Sequence, residues 1–135
     1  MASGWDSHFS MIRLLAFGCE NAALESRSSS LERAGIQIVC AEKEEEARML
    51  LLRTRRFDVV TIGAGVPLNE RNRVALLAKS GHKAGIIFLY RGSVFHAEVA
   101  DALLSADITP EDLILAVQRL ASSRNGDSRL SRSAG

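Results

Sequence analysis

The chain has 135 residues, 47% of them hydrophobic and 24% charged, and 17 Lys and Arg against 16 Asp and Glu leave a formal charge of +1. That length suits one domain with a full core, and the apolar fraction excludes a disordered chain. No window approaches the roughly 18 apolar residues of a spanning helix, and the near-zero charge excludes a molecule-wide positive field for nucleic acid or an anionic membrane. The two cysteines, Cys19 and Cys40, lie in apolar runs with neither zinc-ligand spacing nor a secreted disulfide framework. The N-terminus does not read as a signal peptide, so the cytoplasm is the expected compartment.

Residues 1–11 are small, polar and aromatic without periodicity, and read as a tail. Residues 12–121 read as the folded body, with 14 basic and 14 acidic side chains. Residues 122–135 are rich in Ser and Arg and read as a disordered tail that sets the net sign. Within the body, Ile12 to Phe17 is an apolar run of strand length stopped by Gly18, and Ile36 to Ala41 is a second, opened by Gly35. A weak helix lies between them, with Ala23, Leu24, Leu31 and Ala34 as its buried face and Ser28, Ser29 and Ser30 lowering its propensity.

The next helix is better specified over about 43–56, because Ala47, Leu50, Leu51 and Thr54 share one face. Glu44, Glu45 and Glu46 stand in its first turn and Arg53, Arg55 and Arg56 in its last, matching the helix dipole at both ends. Phe57 to Ile62 reads as a third strand and Gly63 to Pro67 as a loop. A helix from about Asn69 to Lys79 follows, with Val74, Leu77 and Ala78 inward and Ser80-Gly81 closing it. Gly85 to Tyr90 is a fourth strand, a helical stretch is expected near 94–101, and Ala102 to Ser105 is a short fifth strand. Thr109 is an N-cap before Pro110, Glu111 and Asp112, and Leu113, Ala116, Val117 and Leu120 face inward on the last helix.

Continuous apolar strands alternating with helices imply a parallel sheet covered on both faces. Right-handed crossovers with one reversal give the flavodoxin-like strand order 2-1-3-4-5, in a single three-layer α/β domain. Functional residues then belong at the carboxyl ends of the strands, near Gly18, Cys40, Gly63, Tyr90 and Ala106.

Several segments in order carry a family likeness: Glu32-Arg-Ala-Gly35, Ala41-Glu-Lys-Glu-Glu-Glu-Ala47, Phe57-Asp-Val-Val60, Pro67 four residues after Gly63, and Thr109-Pro-Glu-Asp-Leu113. Through them the chain, over about residues 11–122, resembles the receiver domain of two-component response regulators. The resemblance implies an acidic pair after the first strand, a phosphoacceptor aspartate after the third, a Ser or Thr after the fourth and a Lys after the fifth, with carboxylates holding magnesium. Here those positions carry Gly18 and Cys19, Gly63, Tyr90 and Ala106, so all of them depart from the pattern. Glu20 is nearby but peripheral to the family's metal site. Gly63 has no side chain to act as a nucleophile, and no lysine or metal offsets charge on a transferred phosphoryl group. The span of 16 positions from Tyr90 to Ala106 also falls short of the family's interval by more than one helical turn. Dimerisation through the usual receiver face is therefore not expected, although a homodimer by another face is compatible with the chain.

Three other groupings have competing readings. Cys19 and Cys40 end adjacent strands and read either as buried, inert cysteines or as a redox pair, with no activating Lys or His beside them. Gly18, Gly63, Gly65 and Gly92 leave backbone amides exposed that, with Arg91, form a candidate anion nest. Tyr90 reads as a filler of the emptied pocket, while Arg91, Val94, Phe95 and His96 are candidate partner or ligand contacts. His8, His82 and His96 lack ligand spacing, so no metal site is expected of them. Arg48, Arg53, Arg55, Arg56, Arg71 and Arg73 are diluted by acidic neighbours and followed by no DNA-binding motif, so direct nucleic-acid binding is not expected.

The expected function is a non-catalytic, phosphorylation-independent receiver-like signalling module with no cofactor. It would act on a protein partner such as a regulator, kinase or output protein, and not on a membrane. The alternative is a small-ligand or redox sensor using the emptied crevice at Gly18, Cys19, Cys40, Gly63 and Arg91.

Overall fold

The structure, a computed structural model, describes residues 12–18, 28–53, 56–92 and 97–134, with side chains described up to Ser123. The strands are β1 (Ile12–Phe17), β2 (Ile36–Ala41), β3 (Val59–Ile62), β4 (Gly85–Tyr90) and β5 (Ala102–Ser105). The helices are α1 over 28–33, α2 (Glu44–Arg53), α3 (Leu68–His82) and α4 (Pro110–Ala134). All four strand pairings are parallel and the order is β2-β1-β3-β4-β5, as the periodicity implies.

Alternation along the strands divides the core in two. Leu15, Phe17, Val60, Ile62, Ile86 and Phe88 point to the face covered by α2 and α3, whereas Leu14, Ile36, Val59, Ile87 and Leu89 meet Leu31 of α1 and Leu113, Val117 and Ala121 of α4. Gly85 lets α4 approach β4 closely, since a Cβ there would stand 3.0 Å from Leu120 Cβ. Two aspartates finish strand starts. Asp58 Oδ2 accepts the Arg13 N–H at 2.9 Å and Asp101 Oδ2 accepts the Ile86 N–H at 2.7 Å.

The helix ends follow local chemistry. Glu46 Oε1 accepts the N–H groups of Glu42 and Lys43 at 3.0 and 3.3 Å, which satisfies orphan donors at the start of α2. Thr109 caps α4 as expected, its Oγ1 accepting from the Asp112 N–H at 3.2 Å.

Four boundaries differ from the sequence reading. α2 ends at Arg53 rather than 56, and Thr54 and Arg55 lie outside the described residues. α3 does not close at Ser80-Gly81 but runs to His82. Lys83 then adopts the left-handed conformation at φ 54°, and the N–H groups of Lys83 and Ala84 return to Lys79 and Ala78 oxygens. Over 97–100 the described backbone is a turn, not the expected helix, and Asp101 already pairs with Ile86 at the start of β5. The helical backbone of α4 continues through 122–134, where an unstructured tail is expected, because that run has no proline to stop it. The expected tail at 1–11 and the inward positions Ala23 and Leu24 lie outside the described residues.

Candidate functional site

The crevice lies where β1 and β3 meet at the carboxyl edge of the sheet, the point at which strand order reverses. Backbone pairing continues one residue beyond the strands: Gly18 N–H donates to Ala41 O, Gly63 N–H to Phe17 O and Ala106 N–H to Tyr90 O, each at 2.8 Å. Gly18 and Gly63 therefore stand side by side in fixed register. Gly18 has φ +75°, a left-handed conformation suited to glycine. A Cβ built on it would overlap Val66 Cγ2 and lie 3.9 Å from the Gly63 nitrogen. Val66 is 8% exposed and belongs to the α2/α3-side core. The space beside Gly18, expected to be empty, is thus taken by Val66.

The loop bearing Val66 is tied down from beneath by Arg71. This side chain is buried, with Nε donating to Val66 O at 2.7 Å, Nη2 to Ala64 O at 2.8 Å and Nη1 to Leu89 O at 3.5 Å. Its guanidinium carbon lies 5.7 Å from the Phe88 ring centroid. Burial pulls the group's pKa down, but a guanidinium stays protonated in proteins, so the cation persists and its forked donors serve several carbonyls at once. The consequence is mechanical. One side chain joins the β3–α3 loop to the end of β4.

A second buried polar residue organises the opposite edge of the same helix. His82 Nδ1 accepts the Phe57 N–H at 2.8 Å, so Nδ1 carries no proton, and Nε2 donates to Leu51 O at 2.6 Å. These partners assign the neutral Nε2–H tautomer. His82 therefore links the end of α2, the approach to β3 and the end of α3. His82, read from the sequence only as a histidine without ligand spacing, is a structural clip.

The remaining predicted positions divide clearly. Tyr90 and Ala106 are half-buried at the ends of β4 and its neighbouring loop, and Arg91 is exposed. Cys19, Glu20, Val94, Phe95 and His96 lie outside the described residues. Cys40 is exposed, contrary to the buried reading, because β2 is an outer strand with a neighbour on one side alone. It lines a groove of about 390 Å³ with Val39, Glu46, Met49, Leu50 and Arg53, away from Gly63. Partial desolvation there pushes the thiol upward, opposite to the shift that activates a redox cysteine. The arginines do not form one patch: Arg71 is buried, and Arg73 is engaged by Glu44 through contacts of 2.6 and 2.7 Å.

The roles of Val66, Arg71 and His82 escaped the sequence reading, although the last two left a signal. Arg71, Val74, Ala75, Ala78 and His82 fall at one helical period, and all are buried. Two polar residues on an apolar face imply dedicated hydrogen-bond partners.

The residues present do not fit the magnesium site implied by the family likeness. Gly18 and Gly63 offer no side-chain oxygen, and among the described residues no three His, Cys, Asp or Glu side chains gather to hold a metal. No helix among the described residues is long and apolar enough to cross a membrane.

With this geometry in view, the fold is that of receiver domains. The structure superposes on a CheY-like response regulator receiver domain protein from Methanospirillum hungatei JF-1 with a TM-score of 0.74 at 18% identity, covering 87% of this chain and 99% of that one. Against the chemotaxis response regulator CheY4 of Vibrio cholerae the TM-score is 0.69 at 22% identity, with coverage of 82% and 99%. Against the receiver domain of the sensor histidine kinase PA1611 from Pseudomonas aeruginosa PAO1, which has a magnesium ion coordinated in its active-site cleft, it is 0.69 at 14% identity, with coverage of 84% and 100%. Neither a family model nor a curated protein matches the chain.

Proposed function

We propose that the chain is a non-enzymatic signalling module of two-component type that works through protein contact without taking a phosphoryl group. The observation that carries this reading is the pairing of Gly63 at the phosphoacceptor position with Val66 packed over Gly18. A phosphoryl switch needs a nucleophile and a group whose binding differs between two conformations. Here the nucleophile's place has no side chain, and an aliphatic group fills the space beside it. Arg71 supports the same conclusion, since it already ties the Ala64 and Val66 carbonyls to the Leu89 carbonyl of β4. The surface shown to a partner is then the same in the presence and absence of a phosphodonor.

The test is to add magnesium and a small phosphodonor, or a phosphate mimic, to the labelled protein and follow backbone amide resonances. Unchanged resonances at Gly18, Gly63 and Tyr90 are expected. Specific saturable shifts at those three positions would overturn the proposal.

A further inference from the structure

The edge of the sheet opposite the crevice has a different character. Arg13, at the start of β1, lays its guanidinium carbon 4.7 Å from the centroid of the Phe57 ring, and Phe57 meets the His82 ring at 5.7 Å between centroids. On the same edge of the sheet, exposed Arg53 ends α2, exposed Arg56 directly precedes Phe57, and exposed Lys83 directly follows His82. Asp58 and Asp101, the carboxylates at the adjoining strand starts, are each committed to a backbone N–H, and Asp101 also pairs with Lys79 at 3.1 Å. At the neighbouring end of α1, Glu32 and Arg33 cancel. Arg13, Arg53, Arg56 and Lys83 have no carboxylate partner among the described residues.

Arg13 is the unusual member. Its Nε is buried and has no hydrogen-bond partner, a state that is destabilising for any buried donor and more so for a charged one. A guanidinium packed against an aromatic ring, on an edge that also carries Arg53, Arg56 and Lys83, suits a planar, two-oxygen anion taken in bidentate fashion. We propose that this edge, centred on Arg13, docks a carboxylate-rich segment of a partner protein; this rests on reading the chain as a protein-contact module. Single-stranded nucleic acid fits the edge less well, because the aromatic ring beneath Arg13 is 0% exposed and gives bases no platform for stacking.

The experiment titrates a fluorescent peptide of alternating Glu and Ser into the full chain at low salt, with single-stranded and duplex DNA of equal charge as separate arms. Expected are binding of the peptide in preference to both DNAs, weakening as salt rises, and amide shifts confined to residues near 13, 56–58 and 82–85. Arg13→Lys keeps the charge and loses the fork, and should weaken the peptide by about fivefold or more, while the R56Q/K83Q variant should weaken it by about tenfold. Circular dichroism confirms that each variant is folded. The proposal is overturned by absence of peptide binding, by tighter binding of either DNA, by shifts elsewhere, or by an R13K variant indistinguishable from wild type. None of these outcomes touches the phosphodonor test, which reads the opposite edge of the sheet.

Discussion

If Val66 fills the place of a missing strand-end side chain, Gly18 and Val66 must be energetically coupled. Substituting Gly18→Ala forces a Cβ into the left-handed conformation at φ +75°, at a cost of about 1–2 kcal/mol, and also drives that Cβ into Val66 Cγ2. Overpacking of this kind adds roughly 1–3 kcal/mol, so the single variant should lose about 3 kcal/mol. Val66→Ala removes two buried methyl groups and should lose about 2 kcal/mol, combining transfer and cavity contributions. In the double variant the overlap disappears while the backbone strain and the lost burial remain. Its loss should be about 3 kcal/mol rather than the additive 5, a coupling of about 2 kcal/mol. Urea denaturation of the four proteins reads this cycle through the midpoint at constant m-value. Additivity within about 0.5 kcal/mol would refute the packing of Val66 over Gly18 as the feature that closes the crevice.

His82→Ala leaves the Phe57 N–H and the Leu51 carbonyl without their partner and should lose about 3 kcal/mol in the same urea assay; a loss below about 1 kcal/mol would contradict the clip. Arg71→Met keeps the aliphatic length and removes the donors to Val66, Ala64 and Leu89, so a loss of about 2 kcal/mol is expected, with faster amide exchange at Val66. Because a buried ion can be replaced by an apolar side chain at no cost when its partners are rehydrated, a neutral or stabilising R71M would refute the loop clamp. The Arg73 guanidinium holds Glu44 below the usual carboxylate range, so this exposed pair contributes above the ordinary Glu pKa and fades as pH falls through the lowered one. The small stability difference between wild type and Glu44→Gln should therefore shrink in acid and in high salt; a difference that grows on acidification would reverse the assigned sign.

Much of the fold was legible from local patterns. The strands at Ile12, Ile36, Gly85 and Ala102 announce themselves as apolar runs bounded by turn residues, and Thr109 marks the start of α4 with its own capping oxygen. The degenerate strand ends could also be read, since Gly63 is a glycine wherever the chain goes. Boundaries set by distant partners were not legible. Gly81 reads as a stop, yet α3 passes through it because His82 finds Phe57 and Leu51, one helical turn beyond Ala78.

The sequence by itself determined the α/β alternation and the absence of a carboxylate at Gly18 or Gly63, because hydrophobic period and residue identity are local properties, and the right-handed crossover rule then carried that alternation to the order 2-1-3-4-5. What lies over Gly18 was decided by the tertiary structure. A missing side chain leaves either a cavity or room for a neighbour, and the choice depends on how the 63–67 loop packs. Arg71, anchored in α3 beneath that loop, holds Val66 in the gap and closes it.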